Sequence, residues 1–485
     1  MPLVLREAFP ISRPARQIAT RKLFFAFLTL AICLCVAQAQ AQSADRIPQS
    51  FDPTPAVVLA NHHPLWASPA NDLGALEASQ TIDNMTLVLA RSPERQKAFD
   101  QFVEDQQNPA SPNYHHWLTP VEIGTQFGLS DDDIAAVSAW LKSQGLHVNW
   151  VAPSKIFIAF GGTAPSIGRA FGTEMHAYNV HGEQRISVAS DPKLPIALAP
   201  AIQAVRGLYT LQEKPQHASR VETSYKPNLT IPTNSGTEYF LAPADFDVIY
   251  DVNQSYSGSG VTIGIVGESR TDMADFTSFK SLTATHFPDP TEVIPTAFGG
   301  VDPGPAFTAP PSCETTNPPT CSSAINGQID AQGEATLDVQ RTGGVAQGSN
   351  LLLVIASGAS GGIGDAAQYL TESTPVPAQV MSISFGACES ADGKSDVDFW
   401  DNVYETGAAE GISTFVSSGD SGAAGCDANF AKPPASPAPI SPNALCSSSY
   451  VTCVGGTEFN DAVNSSTYWN SNEDPTSASA LGYIP

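Results

Sequence analysis

The chain has 485 residues, an apolar content of 42% and a formal net charge of −25, from 48 acidic against 23 basic side chains. That balance argues against nucleic acid and against anionic membrane surfaces as partners. It suits work in acid, where a base-rich chain would become strongly cationic and repel itself.

Taken from the start, Arg13, Arg16, Arg21 and Lys22 precede the apolar run Leu23–Val36, and Ala37-Gln38-Ala39 and Ala39-Gln40-Ala41 offer small-x-small cleavage sites. This pattern predicts a signal peptide over residues 1–42, hence a secreted, extracellular or periplasmic protein. The apolar run is too short to favour a membrane span, and no later segment is apolar enough for one, so no membrane contact is expected after signal cleavage. Of the eight cysteines, Cys33 and Cys35 leave with the signal. Cys313, Cys321, Cys388, Cys426, Cys446 and Cys453 remain, an even set that favours disulfides in an exported chain. Short loops suit Cys313–Cys321 and Cys446–Cys453, which would leave Cys388–Cys426, but spacing does not fix the pairing. There are no paired C-x-x-C units to hold zinc.

Residues 50–210 read as one α+β module. Helical stretches at Glu94–Gln106, Asp131–Gln144 and Ala164–Phe171 alternate with extended runs at His147–Val151, Lys155–Phe160, Glu174–Tyr178 and Arg185–Val188. Strands this short predict a small antiparallel sheet. Residues 211–237, rich in Pro, Ser, Thr and Asn, read as a linker exposed to proteolytic nicking. The texture then changes. Val261–Val266, Leu351–Ile355, Val380–Phe385 and Ile412–Val416 are continuous apolar runs, with helical candidates at Ile329–Thr342, Gly364–Thr371 and Asp396–Ala409 between them. Uniformly apolar strands alternating with helices predict an α/β domain over 238–485 whose parallel sheet is covered on both faces. Residues 287–327 read as a long loop.

Three acids stand out. Glu334 and Asp338 are four residues apart on a predicted helix, so they share one face. Two carboxylates in contact repel, and one of them is expected to hold a proton. That suits a base that accepts and releases protons at low pH. Asp420 follows an apolar strand within Ser418-Gly-Asp-Ser-Gly422, at the end of a sheet where α/β sites assemble. A protonated aspartic acid there can donate to an oxyanion. Taken alone, each feature also fits a solvated helix face or an Asx turn. His62-His63 and His115-His116 lack H-E-x-x-H spacing. The only histidine beyond residue 230 is His286, with no Gly-Thr after it, which disfavours an ordinary Ser–His–Asp hydrolase.

Together these residues resemble the sedolisin, or serine-carboxyl peptidase, family. In the first module Ser111-Pro-Asn-Tyr114-His-His-Trp117-Leu-Thr-Pro120, Phe127-Gly128, Ala170-Phe-Gly-Thr173 and Val205-Arg-Gly-Leu208 run in family order and look like a kumamolisin-type activation propeptide. In the second, Leu241-Ala-Pro-Ala-Asp245, Glu334-x-x-x-Asp338, Ser382-Ile-Ser-Phe-Gly386, Ser418-Gly-Asp-Ser-Gly422 and Val451-Thr-x-Val-Gly-Gly-Thr457 continue the pattern. The resemblance implies a subtilisin-like parallel sheet, incomplete here, preceded by a ferredoxin-like propeptide domain. It implies Glu334 as general base, Asp338 as its orienting partner and Asp420 as oxyanion donor. A carboxylate base, with an ordinary pKa of about 4, works where histidine is already protonated.

The family's nucleophile belongs to a Gly-Thr-Ser-x-x-x-Pro motif, and its calcium ligands lie further on still. Residues 1–485 contain neither, so a fragment without its nucleophilic serine, catalytically dead as it stands, is expected. Thr476-Ser-Ala-Ser-Ala480 imitates the motif, but Pro475 and Leu481 stand where the glycine and the proline should be, and it reads as loop.

The expectation is a secreted zymogen of an acid-acting serine-carboxyl endopeptidase. Its partners are polypeptide substrates and the intramolecular propeptide, and its calcium is held beyond the end of this chain. Acid is expected to weaken the propeptide's contacts, and cleavage within 211–237 to release it. An alternative is a catalytically inactive protein whose propeptide binds and inhibits other peptidases. A third reading sets the paired acids on a sugar, and the absence of any aromatic residue from 325–345 speaks against it.

Overall fold

The computed structural model describes residues 45–485 apart from 181, 211–212, 216–228, 234–235, 254, 310, 314–319, 359–361, 427–439, 458, 460–464, 471–473 and 483–485. The expected signal peptide and most of the expected linker fall outside the described residues.

The first module is built from β1 (Thr81–Leu89), α1 (Pro93–Gln107), α2 (Pro120–Gln126), α3 (Asp131–Ser143), β2 (His147–Val151), β3 (Phe157–Thr163), α4 (Ala164–Phe171), β4 (Met175–Val180), β5 (Glu183–Val188) and β6 (Ile202–Arg206). Local signals set the helix starts. Ser92 accepts from Arg95 N with Pro93 opening α1, Thr119 and Glu122 form a reciprocal capping box on α2, and Ser130 caps α3. The four-stranded antiparallel sheet has the order β2-β3-β1-β6, so strands and helices follow the ferredoxin-like β-α-β-β-α-β path. Strands β4 and β5 pair separately with residues 72–75.

Beyond it come β7 (Lys214–Pro215), α5 (Pro243–Ile249), β8 (Thr262–Gly267), α6 (Met273–Thr283), β9 (Thr291–Val293), α7 (Ser323–Val345), β10 (Asn350–Ile355), α8 (Gly362–Glu372), β11 (Val380–Ile383), β12 (Phe385–Gly386), α9 (Glu389–Ala409), β13 (Ser413–Ser417) and β14 (Thr452–Val454). Six of these strands form a parallel sheet of order β9-β10-β8-β11-β13-β14. Both faces are covered at β8 and β10, and alternation along these strands shows how, whereas β13 is exposed at Ser413 and Phe415 on one face. Ile265, Leu351, Leu353 and Ile355 pack with Phe276 of α6 and with Ala335 and Val339 of α7. Val266, Leu352, Val354 and Ile383 point the other way, to α8 and α9.

Residues 45–485 make one compact unit, because the first sheet is itself buried on both faces. Leu87, Leu89, Ile158 and Val205 pack on Val137, Leu141 and Phe171 of their own module. Val88, Phe157 and Ala204 enter a core with Phe399, Trp400, Val403 and Tyr404 of α9.

Several boundaries differ from the sequence-based expectation. The run Val380–Phe385 divides: β11 stays in the parallel sheet, while Phe385 and Gly386 pair antiparallel with Pro215 and Lys214. The expected loop 287–327 contains the edge strand β9 and ends where α7 begins. Helix α9 starts at Glu389 and is interrupted at Gly393, whose φ of 72° and ψ of 175° are open only to glycine. Disulfides join Cys313–Cys321, Cys388–Cys426 and Cys446–Cys453.

Candidate active site

Helix α7 presents the acid pair. Its apolar positions Ala335 and Val339 are buried on the sheet, and a Cβ on Gly267 at the end of β8 would lie 3.8 Å from the Ala335 methyl. The helical repeat then turns Glu334 and Asp338 together toward the carboxyl ends of the strands. Glu334 is buried, at 2% exposure, and Asp338 is half-buried. Ser384, the first residue after β11, donates its Oγ proton to Asp338 Oδ1 at 2.7 Å. The pair is thereby tied to the carboxyl end of a central strand.

Asp420 sits three residues past β13, the strand beside β11, in a turn whose Gly419 and Gly422 have φ of 87° and 53°. Its side chain is exposed. All three predicted acids therefore stand at the carboxyl end of one parallel sheet, two on a helix and one on a loop. The Cys388–Cys426 bond ties this loop to the start of α9. A cavity of about 480 Å³ opens on the next face of α7, lined by Gly333, Thr336, Leu337 and Gln340 with Phe279 and Phe307. The acid pair is not part of its wall.

The chain leaving the first module crosses this region. Lys214 pairs with Gly386 and Pro215 with Phe385, in the residues just beyond Ser384. An extended segment thus lies as an added strand on Phe385–Gly386. Glu213 anchors it through an ion pair to Arg206 Nη2 at 2.6 Å.

Polar contacts join the first module to α8 and α9. Arg206 Nε donates to Asp396 at 2.8 Å, Tyr209 OH to the same carboxyl at 2.6 Å, Asn84 to Asp365 at 2.6 Å and Ser154 Oγ to Glu372 at 2.6 Å. Arg91 pairs with Glu405, which also accepts from Gln96 at 3.0 Å. Burial pushes Asp365 and Glu372 up to about 7, even against the Asn84 and Ser154 donors and the nearby arginines. Asp396 rises to about 6, burial outweighing Arg206.

Sequence reasoning missed these joint residues and gave Ser384 no role. The signal for Ser384 was its place, a serine immediately beyond an apolar strand. The decoy Ser477 donates its hydroxyl to Asp474 O at 3.2 Å, and Ser479 beside it is structural: its hydroxyl and amide both bond Asp245 Oδ1, at 2.7 and 2.6 Å. His62, assigned to surface or core, is buried. Among the described residues no group of three or more His, Cys, Asp or Glu is placed to hold a metal ion, so the calcium implied by the resemblance has no site built from them. No described helix is long and apolar enough to cross a membrane.

Comparison with known proteins fits this picture. Residues 68–211 match the family model described as "Pro-kumamolisin, activation domain". The chain is 27% identical over 436 residues to sedolisin of Pseudomonas sp. (strain 101), covering 87% of this chain and 67% of that protein. It is 24% identical to kumamolisin of Bacillus sp. (strain MN-32), covering 75% of this chain and 61% of the relative. The chain therefore spans about two thirds of the length of these relatives. A solved Pseudomonas sedolisin, a serine-carboxyl proteinase complexed with pseudo-iodotyrostatin, aligns over 45% of this chain and 54% of its own at 25% identity, with a TM-score of 0.34. By these matches the chain is similar to serine-carboxyl peptidases of the sedolisin family, and residues 68–211 match a pro-kumamolisin activation domain.

Proposed function

We propose that this chain carries the acid half of the active site of an exported, acid-acting serine-carboxyl endopeptidase, covered by its own activation domain. The reaction is acyl transfer to a serine, then to water. Glu334 takes the serine proton during attack on the peptide carbonyl and returns it to the leaving amine. Asp338, held by Ser384, orients Glu334 and shares its charge. Asp420 serves as the donor to the oxyanion of the tetrahedral intermediate. The nucleophile belongs to a Gly-Thr-Ser-x-x-x-Pro motif that residues 1–485 do not contain, and calcium enters no step.

The observation that supports this reading is the Ser384–Asp338 bond beside Phe385–Gly386, which already pairs with an extended segment. Release then requires a cut within 211–237. The test is to extend the coding sequence through the serine motif and assay peptide cleavage in acid. Glu334→Ala is expected to lower kcat by about 10²- to 10⁴-fold. An extended protein that cleaves no peptide at any pH, or a Glu334→Ala variant as active as wild type, overturns the reading. The first result would favour an inhibitory, peptidase-binding role.

A further inference from the structure

One buried amide joins the two main-chain segments on which the proposed site depends. Asn443, only 7% exposed, opens the short turn Ala444–Cys446. Its Nδ2 donates to Phe385 O at 3.0 Å and to Ser417 O at 2.8 Å. Its Oδ1 accepts from Ala387 N and Leu445 N, both at 3.1 Å. A side-chain amide has two N–H donors and two acceptor lone pairs, so all four of its positions are taken.

Capping the turn does not account for asparagine here. A cap needs only the oxygen, and aspartate or serine supplies one equally well. An amide also donates twice, and both donors leave the turn for separate strands. Direct pairing of β11 with β13 ends at Ile383 and Val416. Asn443 spans the positions just beyond, Phe385 and Ser417, and so continues the sheet with its own amide where β12 departs from it. Each end leads to a proposed site group. Ser384, the donor to Asp338, directly precedes Phe385. The turn that carries Asp420 begins directly after Ser417, where Ser418 N donates to Val454 O at 2.8 Å. Successive residues of an extended strand turn their main-chain groups to opposite edges. With the Phe385 carbonyl held by Asn443, Gly386 faces the other way, toward Lys214.

We propose that Asn443 is a positioning residue of the peptidase site: it fixes the spacing between the strand edge Phe385–Gly386 and the Asp420 turn. An extended peptide paired on that edge then presents its carbonyl at a constant distance from the oxyanion donor. Asn443 itself touches no reacting atom. The inference rests on the reaction proposed above, with the peptide taking the edge that Lys214 and Pro215 now hold.

Hydrogen exchange on the full chain tests the clamp without any peptidase activity. Asn443→Leu keeps similar bulk and none of the four bonds. Protection of amides 385–388 and 416–418 is expected to fall at least about tenfold, with amides 262–267 and 350–355 unchanged. Asn443→Asp, which keeps the shape but has at most one donor, makes the same prediction should the first variant fail to fold. An equal fall in both sets of amides, or no fall in either, overturns the clamp. In the extended protein the test is coupling. The Asn443 variant is expected to lower kcat at least about tenfold when Asp420 is present, but less than about threefold in an Asp420→Ala background, where the turn has no donor left to aim. A merely structural residue lowers kcat by the same factor in both backgrounds, and that result overturns the positioning role. Local loss of protection in a protein that, once extended, cleaves nothing keeps the clamp between the two segments and loses the peptidase.

Discussion

Two sets of carboxyls divide the labour of this molecule. Glu334, Asp338 and Asp420 gather at the carboxyl end of the parallel sheet on a helix turn and a glycine-flanked loop, with Asp338 half-buried and Asp420 open to solvent. Asp365, Glu372, Asp396 and Glu405 lie under the activation domain, each bonded to one of its side chains. In the first set Asp338 and Asp420 reach water while Glu334 is buried, an arrangement that would suit proton exchange in the proposed reaction. The second is sealed. A buried carboxyl persists only if protonated or paired, so its charge state reports whether the domain is docked. Acids of one chemistry thus differ here in their partners: the first set meets Ser384 and solvent, the second the side chains of the activation domain.

The strongest way to break this contrast is to remove the cation that holds the sealed set. Arg206→Met keeps apolar bulk over Phe399, which the guanidinium now covers at 4.2 Å, but leaves Glu213 and Asp396 unpaired. A loss of about 3–5 kcal/mol is expected near neutral pH, read as a lower urea midpoint. The deficit should shrink in acid, where Asp396 takes up a proton instead of needing a partner. An equal deficit at both pH values would mean that packing, not charge, is what Arg206 supplies.

How far the sequence disclosed all this depended on whether local pattern matched final burial. Leu351–Ile355 reads as a buried parallel strand and is one, because helices cover both of its faces; Ile412–Val416 is parallel too, but Ser413 and Phe415 on its other face are exposed. Thr81–Leu89 and Ile202–Arg206 went unread. They belong to an antiparallel sheet, where alternation is the usual cue, yet Leu87 and Val88 are both buried, one by each module. Glu334 and Asp338 were legible from their spacing and Asp420 from its glycines. The joint was not, since nothing near Arg206 in sequence announces Asp396, 190 positions away.

A smaller effect is expected at the kink of α9. At Gly393 the backbone takes a conformation reserved for glycine, and a Cβ would lie 3.2 Å from Tyr209 OH. Gly393→Ala is expected to cost about 1–3 kcal/mol and to free the Tyr209 hydroxyl from Asp392 O and Asp396. The measurement is the urea midpoint together with exchange of the 389–396 amides. A cost spread evenly over the chain would deny the kink any special part in docking.

The mildest variant probes the open set. Ser384 bonds one oxygen of Asp338 and nothing else that has been identified, so Ser384→Ala removes a single neutral donor to a charged acceptor, worth about 1.5–3 kcal/mol where the carboxylate is ionised. In the extended, active protein this is expected to lower kcat by roughly tenfold or somewhat more with KM little changed, because Asp338 would still be present but less firmly aimed. The acidic limb of the pH–rate profile should move upward, since a carboxylate that loses a donor protonates more readily. Ser384→Thr, keeping the hydroxyl, should restore most of the rate and the limb together. A Ser384→Ala profile that drops in height without moving sideways would make Ser384 a packing residue, and would leave Asp338 oriented by its helix alone.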